Sequence, residues 1–106
     1  MFNFNHERIR SIRDRAIGDL KSVRIQCADE RLTLDANRAE VMDQSETVQH
    51  DEWRVDAFYL TQIVRNLHGE YFLLKTTDGR PYVKHLTQAR AKLVLKAKYR
   101  LPGQPR

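Results

Sequence analysis

The side chains able to do covalent or metal chemistry are few in this chain, and they stand apart. Four histidines, His6, His50, His68 and His85, are spread along the sequence. None has the i, i+4 spacing or the cysteine partner that a metal site uses. The single cysteine, Cys27, has no motif around it and ends the alternating run Val23-Arg24-Ile25-Gln26-Cys27, so it reads as a buried structural thiol. Asp29-Glu30 and Asp51-Glu52 are adjacent carboxylates, but at loops and helix starts such pairs serve as caps or solvated charge. The four glycines are isolated from one another, which leaves no loop to cradle a phosphate. These residues predict a protein that is not an enzyme and holds neither metal nor cofactor.

The chemistry that remains is electrostatic. From Gly79 to Arg106 there is no Asp or Glu but eight basic residues, whereas Asp29 to Asp56 holds nine acids against Arg31, Arg38 and Arg54. A basic end beside an acidic middle calls for an electrostatic partner, either a polyanion or another copy of the chain. On the polyanion reading, Lys75, Lys84, Arg90, Lys92, Lys96, Lys98 and Arg100 contact phosphates and release counterions, with Tyr82 against a base or sugar. A purely structural account competes. Cations near a helix C-terminus complement its dipole, and lysine stems lie along a tyrosine on many exposed sheets. No recognition helix, zinc finger or RNA-recognition signature is present, so the reading predicts a nucleic-acid-binding accessory or regulatory protein, for DNA or RNA, of weak sequence preference.

The alternative is a protein-binding regulator or inhibitor module, including a homodimer. Arg8, Arg10, Arg13 and Arg15 crowd the first helix, and the acidic middle is their nearest complement, within one chain or between two. Phe2, Phe4, Arg8, Arg13 and Trp53 are the interface residues of this reading, with exposed aromatics as its anchors.

Those residues must be positioned by secondary structure. Ile9, Ile12, Ala16 and Leu20 recur at helical steps, which predicts a helix over Asn5 to Asp19 capped by Asn5. The stripe runs on to Val23 and Cys27, but Gly18 weakens an unbroken helix. Val23–Cys27 and Leu32–Asp35 alternate strictly, so a hairpin is expected there. Ala36 to His50 is polar and acidic and its pattern fixes no element; a short strand or helical turn around Val41-Met42 and then a loop is the expectation. Trp53, Ala57, Leu60, Val64 and Leu67 fall at steps of four, three, four and three, which predicts a helix from Asp51 to His68 stopped by Gly69. The dense β-branched and aromatic residues of that segment favour strands instead, at Val55–Leu60 and Gln62–Leu67.

Tyr71–Thr77 and Arg80–Leu86, joined by Asp78-Gly79, predict a type I′ hairpin. Counting outward pairs Thr77 with Arg80, Lys75 with Tyr82 and Leu74 with Val83. Pro81 marks the second strand as a sheet edge. A final helix from Gln88 to about Tyr99 is capped by Thr87 and followed by Pro102-Gly103, with Ala89, Leu93, Ala97 and Val94 as its apolar side. The expected fold is α+β: an N-terminal helix, a small antiparallel sheet of two hairpins, a central helix, and a basic C-terminal helix packed on the sheet.

A chain of 106 residues with a net charge of +5 fits a single domain, residues 1–106, with one core. One cysteine allows no intramolecular disulfide and suits a reducing compartment. The N-terminus is not patterned as a signal peptide. No apolar run approaches the ~20 residues of a membrane helix. A cytoplasmic location is therefore expected.

Overall fold

The computed structural model describes residues 3–50, 55–76 and 80–98, and the side chains of 10–48, 58–76 and 80–96. It is an α+β fold with two helices and two antiparallel sheets, one of two strands and one of four, among the described residues. Helix α1 spans Asn3–Lys21, so Asn5 lies in its first turn rather than at a cap. The helix runs through Gly18 and closes with the Ser22 N–H on the Gly18 carbonyl at 3.1 Å. Its stripe works as the spacing requires, with Ala16 and Leu20 buried and Ile17 packed beside them.

Strands β1 (Arg24–Ile25) and β2 (Leu34–Asp35) pair antiparallel, Arg24 with Asp35 and Ile25 with Leu34. This is the expected first hairpin, shortened to two residues a side and linked through a 3-10 turn at Glu30–Leu32. Because β1 stops at Ile25, the alternation does not reach Cys27. The thiol is exposed, not buried.

The main sheet has the order β3-β4-β5-β6, from β3 (Glu40–His50), β4 (Val55–Arg65), β5 (Tyr71–Lys75) and β6 (Tyr82–Leu86). Two expectations fail here. The segment from Asp51 to His68 is not a helix where it is described: 55–65 form β4, and its residues lie on both faces of the sheet. Leu60 and Val64 pack under α1, while Ile63 packs on the other side. A strand covered on both faces loses its alternation, and what is left imitates a helical stripe. Leu67, the last residue of that stripe, is 84% exposed. Residues 36–50, expected to be mostly loop, contain the eleven-residue β3. It is an edge strand with polar residues on both faces, and its register shifts between Val41 and Asp43, where Met42 bulges.

Gly69 is a stop, but of another kind. Its φ of 82° lies in the left-handed region that glycine enters without steric cost. With Gly69 N–H on the Asn66 carbonyl at 3.1 Å and Asn66 N–H on Glu70 at 2.9 Å, it closes the three-residue β4–β5 hairpin loop.

The sheet separates two apolar clusters. On one face Leu60, Val64, Phe72 and Leu74 bury against Ala16, Leu20, Leu34 and Ala36, which places α1 and the small sheet there. On the other, Ile63, Tyr71 and Leu86 bury against Ala91 of the second helix, α2 (Gln88–Lys98). Among the described residues, no helix is long and apolar enough to cross a membrane.

Candidate nucleic-acid interface

The β5–β6 hairpin has the register read from the sequence: Lys75 opposite Tyr82, Leu74 opposite Val83, Leu73 opposite Lys84. The Asp78-Gly79 turn that set the count lies outside the described residues. Pleating then sorts the side chains. Phe72 and Leu74 are buried toward α1, with Val83 beside them, so Lys75, Tyr82 and Lys84 share the face on which α2 sits. Strand β6 is a sheet edge, and Pro81 precedes it.

Registers across the sheet extend this face. Ser45 pairs with Thr61, Thr61 with Lys75 and Lys75 with Tyr82, a row of four side chains on one surface. Tyr59, opposite Thr47, stands one step along the same face of β4, and the Lys75 Nζ lies 5.8 Å from its ring centroid, within cation–π range. Tyr59 was missed by the sequence reading, because a helix from Asp51 to His68 gives it no common face with Lys75. Alternation from the buried Ile63 back through Thr61 to Tyr59 is the signal that locates it.

Helix α2 begins as expected. The Thr87 hydroxyl accepts from the Arg90 N–H at 3.1 Å, satisfying one of the free donors of the first turn. Its packed side differs from the expected one. Ala91 is fully buried and Leu95 packs beside it, whereas Leu93 is 62% and Val94 38% exposed and Ala89 is exposed. A small side chain at 91 lets the helix approach Tyr71 and Leu86 closely; Leu93 would hold it off. At 3.6 residues per turn, Lys92 and Lys96 share one flank of α2 and Arg90 lies on the other. All three are exposed. Lys98 is in α2, but its side chain, like Arg100, lies outside the described residues.

The acids are used differently. Asp35 takes Arg24 at 3.1 Å and Arg38 at 3.8 Å, Glu40 takes Arg65, Glu46 takes Arg13, and Asp29 takes Arg31 at 3.3 Å. The Arg31 side chain and N–H hold the Asp29 carboxyl below its usual range, and Asp29 raises the Arg31 guanidinium. Glu40 first, then Tyr71, raises Arg65. Arg13, an interface residue of the alternative reading, is thus engaged inside the molecule. Phe2 and Trp53, and the side chains of Phe4 and Arg8, lie outside the described residues. Among the described residues, no carboxylate pairs with Lys75, Lys84, Arg90, Lys92 or Lys96.

Other sites carry less. His85 sits 3.2 Å from Glu70 and tilts against Phe72 at 5.3 Å between ring centroids. No group of three His, Cys, Asp or Glu that could hold a metal occurs among the described residues. A concavity of about 160 Å³ opens between Thr33, Asp35, Arg38, Asn66 and His68. Its buried amide, Asn66, spends both ends on backbone, and Asp35 is paired with Arg24 and Arg38. Comparison with known proteins finds no matching family, no matching curated protein and no matching solved structure.

Proposed function

We propose that this chain is a non-enzymatic nucleic-acid-binding accessory protein that holds its ligand through the cations of β5, β6 and α2. One observation carries the reading: Asp29, Asp35, Glu40 and Glu46 of the middle segment are paired with arginines of the same molecule, while Lys75, Lys84, Arg90, Lys92 and Lys96 have no carboxylate partner among the described residues. Unpaired cations gathered on one side neutralise phosphates and release counterions, which is a sequence-independent source of affinity. Lys98 and Arg100 follow Lys96 in the sequence and are assigned to the same ligand by their charge. A single cysteine suits a reducing compartment, and we place the protein in the cytoplasm on that ground.

The test is fluorescence anisotropy with short labelled DNA and RNA, single- and double-stranded, across a salt series. Micromolar or tighter binding that falls steeply with salt is expected. Charge reversal at Lys92 and Lys96 should abolish it with the circular dichroism spectrum unchanged. Binding that survives the reversal, or none at low salt, overturns the assignment.

The protein-binding reading keeps one observation in its favour. Strand β3 is a long outer strand, and Leu60 exchanges its bonds with Thr76 on the β5 side. Alternation from Leu60 turns the N–H and C=O of Gln44, Glu46 and Val48 outward. Such an edge can pair with a second copy. On this reading light scattering shows a discrete dimer, indifferent to Lys92 and Lys96, that Val48→Pro dissociates by deleting one outward donor.

A further inference from the structure

Helix α2 covers only part of its sheet face. It seals Ile63, Tyr71 and Leu86. Outside that cluster, the same face carries Ser45, Thr61, Lys75 and Tyr82 in one row and Thr47 with Tyr59 in the next. This part is polar and half open: Tyr82 is 47% exposed, Tyr59 partly so, and Lys75 is exposed.

We infer that this half-open part of the sheet face, centred on Tyr59, Lys75 and Tyr82, is a stacking platform for the bases of single-stranded nucleic acid. The inference rests on the nucleic-acid reading and names the form of ligand and the place it binds. Two tyrosines stand on strands separated by β5 and one row apart, which puts them about 12 Å from each other at ordinary sheet spacings. Each offers a ring that any base can stack on, whatever its identity. Lys75 stands beside the Tyr59 ring and opposite Tyr82, so one cation serves both positions. Lys84, in the next row on β6, and the flanks of α2 supply phosphate contacts at the platform's border. The hydroxyls of Ser45, Thr47 and Thr61 add hydrogen-bonding capacity without fixing a sequence.

A duplex does not suit this surface. Its base faces are stacked on one another, and only unpaired bases can be laid on a ring. Nor does α2 reach out to enter a groove. It lies down on the sheet through Ala91, and its outward side includes Leu93.

The test compares oligo(dT) and oligo(rU) with a hairpin duplex of equal charge, for the full chain and for Tyr59→Leu, Tyr82→Leu, Tyr59→Phe and Tyr82→Phe. Single strands should bind at least about ten-fold tighter than duplex, and each leucine variant should lose about ten-fold on single strands. The phenylalanine variants should keep their affinity, because the ring and not the hydroxyl does the stacking. The salt slope should be the same in all of them. Equal affinity for single strands and duplex, with leucine variants unaffected, overturns the platform and leaves phosphate binding standing. Absence of binding to either form at low salt overturns both.

Discussion

Asn66 holds more of this fold than any side chain singled out by its chemistry. Its amide nitrogen donates to the carbonyls of Arg31 and Thr33 at 2.8 and 2.9 Å, and its oxygen accepts from the N–H groups of His68 and Glu70, both at 2.9 Å. One buried residue therefore shapes the β4–β5 loop and ties it to the segment before β2. Asn66→Ala strands four backbone groups at once and should cost about 2–4 kcal/mol, read as a lowered urea midpoint. The glycines give a second pair of expectations with opposite signs. Gly18 sits inside α1 with open space where a Cβ would go, so Gly18→Ala should stabilise by about 0.5–1 kcal/mol. Gly69 has equal room but a φ of 82°, so Gly69→Ala should cost about 1–2 kcal/mol. Thermal unfolding of the two variants checks both signs. Neither Asn66 nor the sign at Gly18 was legible in the sequence. A lone asparagine before a turn looks the same whether its amide is buried or solvated, and Gly18 could have ended a helix or continued one.

Elements were legible where a simple periodicity or a turn fixed them. The stripe of α1 has one side on a core and one outward. The register of β5 with β6 follows by counting from Asp78-Gly79, even though β5 is buried on both faces, Tyr71 on one and Phe72 and Leu74 on the other. Strand β4 broke the pattern because α1 covers one face and α2 the other, leaving Leu60, Ile63 and Val64 all buried. Strand β3 broke it in the opposite way, since it lies at the edge and only Met42, at its bulge, packs against the α2-side cluster. Losing β4 cost the site Tyr59, whose place on the sheet face depends on strand geometry. Helix α2 was found, but turned the wrong way: two apolar stripes fit its sequence, Ala91 with Leu95 and Ala89 with Leu93 and Ala97. Only the distance between helix and sheet chooses between them. The choice is testable by a pair of variants. Ala91→Leu forces extra methylenes between α2 and Tyr71 and should cost about 1–3 kcal/mol. Leu93→Ala removes a side chain that is mostly in water and should change stability by no more than about 0.5 kcal/mol. The reverse pattern, a loss of about 2–5 kcal/mol at Leu93→Ala and little change at Ala91→Leu, would mean the helix packs by its other stripe.

At the scale of the whole molecule the charge asymmetry of the sequence has become a division of labour in space. Each acid that pairs with an arginine of α1, β1 or β4 removes a negative charge that would otherwise repel a polyanion or compete for the basic side. These contacts are solvent-exposed, and each adds only about 0.2–1 kcal/mol to stability. Their larger effect is on the field the protein presents. Folding pairs Asp29, Asp35, Glu40 and Glu46 with arginines and leaves Lys75, Lys84, Arg90, Lys92 and Lys96 exposed, so binding should respond to salt far more than stability does. The size of that response can be set in advance. A single strand loses about 0.7 in the slope of log K against log salt for every phosphate neutralised. If those five cations all engage, the slope is about −3.5; if Arg90, on the opposite flank of α2, stays out, it is about −2.8. Lys92→Ala should make the slope shallower by about 0.7, whereas Arg90→Ala leaves it unchanged in the second case. A slope steeper than −3.5 would require cations beyond the five, and Lys98 and Arg100 are the next along the chain. Urea unfolding over the same salt range should shift little, which separates screening of the ligand from weakening of the fold.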